Sequence, residues 1–172
     1  ITFPAWTEDT QHPRIAISPA SRWQSKNWPL DRFIEVAKEL QAKDHAALML
    51  LGGPDDVEAC DRIEAALEAP CHNMAGKTSL PEMGGILESM DLLIANDSGP
   101  VHMAAAVGTP TAVIFGPTDP KRCGPFGEGH RILETTYPCR PCHRRTCEQP
   151  DIPCISGVKV YQVLDAVREM LG

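Results

Sequence analysis

Two rhythms of apolar residues alternate along the chain. Short apolar runs at Arg14–Ser18, Ala46–Leu51, Leu92–Ala95 and Thr111–Phe115, with a weaker one near Cys71–Met74, have the length and flanking turn residues of buried strands. Between them the spacing becomes helical. Phe33, Val36, Ala37 and Leu40 fall at i, i+3, i+4 and i+7, behind Pro29 and Asp31 at the helix start. Val57, Cys60, Ile63, Ala66 and Leu67 share one face of a helix over Asp55–Leu67. Further helices are predicted over about Leu80–Met90, from the turn at Asn96–Gly99 to Val107, and over about Gly157–Leu171, with Val160, Val163, Leu164, Val167 and Leu171 inward. The stretch after Gly116 is read as mostly loop.

Wholly apolar strands alternating with amphipathic helices predict a parallel sheet covered on both faces, a doubly wound α/β domain. Such sheets bind ligands outside the carboxyl ends of their strands. Attention therefore falls on the segments that follow strands. Residues 1–12, with Pro4, Thr7 and Thr10 and no periodicity, read as a linker or the end of an upstream domain, and 13–172 as one domain. The chain opens on Ile1 rather than Met, which carries the expectation of a missing upstream piece.

Composition narrows the function. A net charge of -7 argues against broad nucleic-acid binding, which needs a basic face, but leaves room for a small basic pocket around one phosphate group. No apolar run approaches the roughly 18 residues that would span a bilayer. Seven cysteines, an odd number, suit reduced thiols in a cytoplasmic protein better than a secreted disulfide framework.

Four post-strand segments carry candidate chemistry. In Asn96-Asp97-Ser98-Gly99-Pro100-Val101-His102, Gly99 is read as permitting a sharp turn and Pro100 suits a first helical position. The amides of Ser98, Gly99 and Val101 would then face outward at the positive end of the helix dipole, a site for a diphosphate. A plain N-cap turn accounts for the same residues. Lys26, in the loop Ser21–Pro29 between Trp23 and Trp28, could neutralise a leaving diphosphate, with Ser21 and Arg22 as further donors. A solvated surface lysine is the bland alternative. Gly52-Gly53-Pro54-Asp55-Asp56 could offer a carboxylate to a ribose, or simply acidic residues to a helix start. Gly116-Pro117-Thr118-Asp119-Pro120 could wall the same crevice.

Taken in order, Ser-Arg-x-x-Ser-Lys-x-Trp-Pro at 21–29, Gly-Gly-Pro-x-Asp at 52–56, Asn-Asp-Ser-Gly-Pro-x-His at 96–102 and Phe-Gly-Pro-Thr-x-Pro at 115–120 resemble the ADP-heptose:lipopolysaccharide heptosyltransferases. The resemblance runs from about Arg14 to the end and includes a Cys-x-Pro-Cys stretch. It implies the C-terminal half of a GT-B glycosyltransferase, which binds ADP-heptose and transfers heptose to the lipopolysaccharide inner core. The acceptor would be held by an N-terminal domain absent here, and this chain alone would be inactive.

The same resemblance assigns Lys26 to the diphosphate leaving group, Asp97 to donor-sugar hydroxyls and Ser21 to a phosphate. Asp56, where the family often carries Glu, would hold the ribose. Ser98, Gly99, Pro100 and Val101 would form the phosphate cradle, with His102 serving structure or substrate. It implies no cofactor, no nucleic-acid partner, and a cytoplasmic enzyme with peripheral contact at the inner membrane. Another GT-B enzyme such as a nucleotide-sugar epimerase, and a stand-alone nucleotide-binding module, are the competing expectations. Cys139, Cys142, Cys147 and Cys154, beside His143, leave zinc, free thiols or a labile disulfide open. Arg140, Arg144 and Arg145 make that loop locally basic.

Overall fold

The computed structural model describes residues 12–172, so the predicted linker at the start lies almost entirely outside the described residues. Six parallel strands form one sheet: β1 (Arg14–Ser18), β2 (Ala47–Leu50), β3 (His72–Asn73), β4 (Leu92–Asn96), β5 (Thr111–Ile114) and β6 (Arg131–Leu133). Their spatial order is β3-β2-β1-β4-β5-β6. The chain thus winds outward from β1 to one edge, returns to the middle at β4, and winds to the other edge. The point of reversal lies between β1 and β4, where Ile15 pairs with Leu92 and Ile17 with Ile94.

Alternate strand residues serve two separate cores, as the pleat requires. Ile15, Ile17, Leu48, Leu50, Leu92, Ile94, Ala112 and Ile114 pack on one face. There they meet α1 (Leu30–Asp44), α2 (Val57–Ala66) and α7 (Val160–Leu171), through Phe33, Val36, Leu40, Ile63, Val163 and Val167. Ala16, Met49, Leu93, Ala95 and Val113 point the other way, against α3 (Leu80–Glu88) and α4 (Gly99–Ala106). Burial on both faces is why these strands read as continuous apolar runs.

The elements differ from the sequence reading where local chemistry overrides periodicity. The last helix starts at Val160 rather than Gly157. The Lys159 amide is held by Gln162 Oε1 at 2.8 Å, and the preceding short helix α6 (Pro153–Ser156) is a separate turn. The second helix starts after a 3-10 turn over Pro54–Asp56. The short helix α5 (Pro120–Cys123) and the edge strand β6 lay in what was read as loop, because three or four residues carry no period. No helix among the described residues is long and apolar enough to cross a membrane.

At the opposite end of the sheet from the strand carboxyl termini, Arg14 clasps Asp91, with Nη2 2.8 Å from Oδ1 and the Arg14 amide 2.7 Å from Oδ2. Burial by itself raises the Asp91 carboxyl, but the Arg14 hydrogen bonds and charge outweigh it and hold it below its ordinary value. Its stabilising contribution is therefore full above the usual carboxylate range and is lost as pH falls through the depressed value. Asp91→Asn should lower the unfolding free energy near neutral pH by about 1 kcal/mol or less, since the pair is partly solvated. In urea titrations the gap to the parent chain should close on strong acidification, and a gap that widens would contradict the assignment.

Candidate functional site

Two loops leave the sheet side by side at its reversal point, one after β1 and one after β4. Asn96, the last residue of β4, is fully buried and pins both ends of the first loop. Its Nδ2 donates to the Pro19 carbonyl at 2.7 Å, and its Oδ1 accepts the Trp28 amide at 3.1 Å. Trp28 is sunk in the core, its indole nitrogen donating to the Val158 carbonyl at 3.0 Å and its ring edge-on to Phe33. Between those pins the chain makes a 3-10 turn over Gln24–Lys26, closed by the Lys26 amide on the Trp23 carbonyl at 3.0 Å.

That turn delivers Lys26 to the residue following β4. Lys26 Nζ stands 2.7 Å from Asp97 Oδ2, with the two side chains 14% and 4% exposed. Thr118, from the loop after β5, donates its hydroxyl to the same oxygen at 2.6 Å. Asp97 Oδ1 accepts no hydrogen bond among the described residues. Lys26 Nζ also lies 4.5 Å from the centre of the Trp23 ring, and the Arg145 guanidinium 5.4 Å from it. Three loops therefore converge on one buried, charge-paired centre.

The helix opening beside this pair is α4, with Ser98 at its N-cap in extended conformation. The Ser98 and Gly99 amides have no acceptor among the described residues, whereas the Val101 amide donates to the Ser98 carbonyl at 3.2 Å. Val101 is fully buried, so its expected outward amide is corrected: the first turn tightens and uses it internally. Pro100 has no amide to offer and fills the first helical turn. The reading of Gly99 as a turn requirement is also corrected. Its φ is not in the left-handed region, a Cβ there would meet nothing within 4 Å beyond its neighbours in the chain and helix, and the bend falls over Asp97 and Ser98. His102 is exposed one turn further on, without a hydrogen bond to the Lys26–Asp97 pair among the described residues.

The remaining candidates sit around this centre. Ser21 begins the Lys26 loop, its amide donating to Asn27 Oδ1 at 2.7 Å and its hydroxyl oxygen accepting the Trp23 amide at 3.4 Å. Arg22 is exposed. Asp56 lies after β2, one strand away, and its Oδ2 accepts the Gly53 amide at 2.8 Å. A Cβ on Gly52 would come within 2.6 Å of Asp56 Cβ, so the glycine makes this close approach possible. One Asp56 oxygen thus caps a turn, the structural role weighed for it in the sequence.

Sequence reasoning did not single out Thr118 or Asn96 for these roles, nor the latch at Ser25. Ser25 is buried, donates its hydroxyl to the Arg144 carbonyl at 2.6 Å and its amide to the Arg145 carbonyl at 3.1 Å. It fastens the cysteine-rich loop to the Lys26 turn. Cys139, Cys142, Cys147 and Cys154 line one cavity of about 380 Å³ between these loops. Burial pushes the Cys154 thiol up, Arg140 opposes, and the other three thiols add to the rise. All four are free thiols, and among the described residues no group of three side chains is placed to hold a metal ion.

A model of glycosyltransferase family 9 (heptosyltransferase) matches residues 3–152. The chain belongs to this family. Among similar proteins, lipooligosaccharide heptosyltransferase 2 of Campylobacter jejuni is 28% identical over 91% of this chain and 50% of its own length. Lipopolysaccharide heptosyltransferase 2 of Salmonella typhimurium is 31% identical over 95% of this chain and 48% of its own. The structure of ADP-heptose lipopolysaccharide heptosyltransferase II of Escherichia coli superposes with a TM-score of 0.80 at 25% identity, covering 95% of this chain and 47% of that one. This family 9 chain spans about half the length of the curated relatives it matches.

Asn96 ties the family 9 fold to its site, because both ends of its side-chain amide, Nδ2 and Oδ1, hold the lysine loop. Asn96→Ala leaves the Pro19 carbonyl and Trp28 amide buried without these partners, a loss of about 2–4 kcal/mol by the usual desolvation penalties. Chemical denaturation should register that drop, and a change below about 0.5 kcal/mol would show the pins to be dispensable.

Proposed function

We propose that this chain is the sugar-nucleotide-binding domain, residues 13–172, of a transferase that moves heptose from ADP-heptose to the lipopolysaccharide inner core. One observation carries the reading: a cationic amine, Lys26 Nζ, paired at 2.7 Å with Asp97 immediately before a helix N-terminus whose first amides are unused. A diphosphate fits such a place, because it meets backbone N–H groups, the positive end of the helix dipole and an ammonium together.

In this reading Lys26 neutralises the negative charge that develops on the departing diphosphate, and Asp97 takes hydroxyls of the donor sugar through its unused oxygen. The Ser98 and Gly99 amides cradle the phosphates, with Pro100 and the buried Val101 shaping the turn. Ser21 adds a donor from the lysine loop, Asp56 turns its remaining oxygen to the ribose, and His102 borders the site. The names of the relatives, ADP-heptose lipopolysaccharide heptosyltransferase II and lipopolysaccharide heptosyltransferase 2, support the choice of donor and acceptor.

Transfer needs a second wall to position the acceptor hydroxyl and exclude water. That wall, and the base that activates the hydroxyl, belong to parts of the protein outside this chain, so this chain binds nucleotide without turnover. The protein works in the cytoplasm, meeting its lipid-linked acceptor at the inner membrane surface with the basic loop around Arg144 and Arg145.

Calorimetric titration of the chain tests the reading directly. ADP should bind more tightly than UDP. Lys26→Gln, which keeps a donor for Asp97 but removes the charge, should weaken ADP binding by at least about tenfold. Absence of ADP binding to the folded chain, or an unaffected affinity in Lys26→Gln, would overturn it.

A further inference from the structure

Thr118 is 1% exposed and gives its hydroxyl to the same Asp97 oxygen that faces Lys26. Its own place is fixed independently of Asp97. Its carbonyl accepts Arg140 Nη2 at 3.4 Å. The same guanidinium binds the carbonyls of Gly116 and Thr135, and Glu134 Oε2 at 2.7 Å. Arg140 therefore holds the 116–118 loop from outside, and the hydroxyl is presented to Asp97 as a stationary donor rather than one that follows the carboxylate.

We infer that Thr118 is a positioning residue that holds Asp97 in place when Lys26 turns from the carboxylate to a phosphate. The inference deepens the sugar-nucleotide reading above and rests on it. A lysine that is the only partner of a nearly buried carboxylate is costly to withdraw, because the charge it leaves behind is unsatisfied. With Thr118 donating to Oδ2, the carboxylate keeps a hydrogen bond at that oxygen, its rotamer is held, and Oδ1 stays on the open side. The amine is then free to share its charge with an incoming anion. Without the hydroxyl, Lys26 becomes the sole partner of Oδ2, and the site pays twice: the amine is held back, and the carboxylate swings.

The test is a double-mutant cycle on ADP binding to this chain, read by calorimetry with thermal unfolding as a control for folding. Thr118→Val, close in shape but lacking the hydroxyl, should weaken ADP binding about tenfold, the worth of a hydrogen bond to a charged group. Thr118→Ser should restore it. In an Asp97→Asn background the valine substitution should have little further effect, since Thr118 acts through the carboxylate. Should the valine form not fold, Thr118→Ala carries the same comparison. Wild-type ADP affinity in Thr118→Val, failure of serine to rescue, or losses that simply add in the double variant would each overturn the positioning role. A wild-type chain that binds no ADP would instead bring down the sugar-nucleotide reading itself.

Discussion

Asp97 directly follows a strand that is buried on both faces, and its side chain is 4% exposed. A carboxylate in that position cannot rely on water. Left without partners, a charge so buried would cost several kcal/mol. The protein meets this constraint with a cation from the loop after β1 and a hydroxyl from the loop after β5, both on one oxygen. The arrangement of the surrounding loops follows from it. The lysine must reach inward from a turn, the turn must be pinned at both ends, and the threonine loop must be braced from behind by Arg140.

The sheet supplies the geometry that makes this economical. Because β1 and β4 are neighbours with the chain winding away from them in opposite directions, the loops that follow them open a crevice without any insertion. Asn96 then converts strand pairing into loop placement, since a residue fixed by the β4 ladder determines where Pro19 and Trp28 lie. An acidic chain overall, with net charge -7, nevertheless brings two cations, Lys26 and Arg145, onto a single tryptophan, Trp23.

Much of this was legible in the residues. Strands such as Leu92–Asn96 announce themselves because both faces are buried, and the helix over Leu30–Asp44 because one face is. The lysine loop and the Asp-Ser-Gly-Pro turn were found because they follow strands. What escaped was either short or dependent on contacts distant in sequence. The edge strand at Arg131–Leu133 is too brief to show a period. Thr118 sits in a Gly-Pro-Thr turn that looked like a wall, and only the folded chain brings its hydroxyl to a carboxylate 21 residues earlier. The turn requirement at Gly99 and the outward amide of Val101 are corrected by the fold for a related reason. A one-dimensional reading places the change of direction at glycine, whereas the chain bends over Asp97 and Ser98 before the helix begins.

The open space around Gly99 carries a consequence for how this protein tolerates variation. A Cβ added there would meet no atom within 4 Å beyond its chain neighbours and the helix's own backbone, and the φ is not left-handed. Crowding by distant parts of the fold therefore exerts no pressure for glycine at this position, and the pressure that folding does exert comes from the proline that follows. Libraries scored by expression or thermal resistance will tolerate alanine at 99 at a small cost, and only a screen that reports occupancy of the crevice will register what the missing methyl group leaves room for.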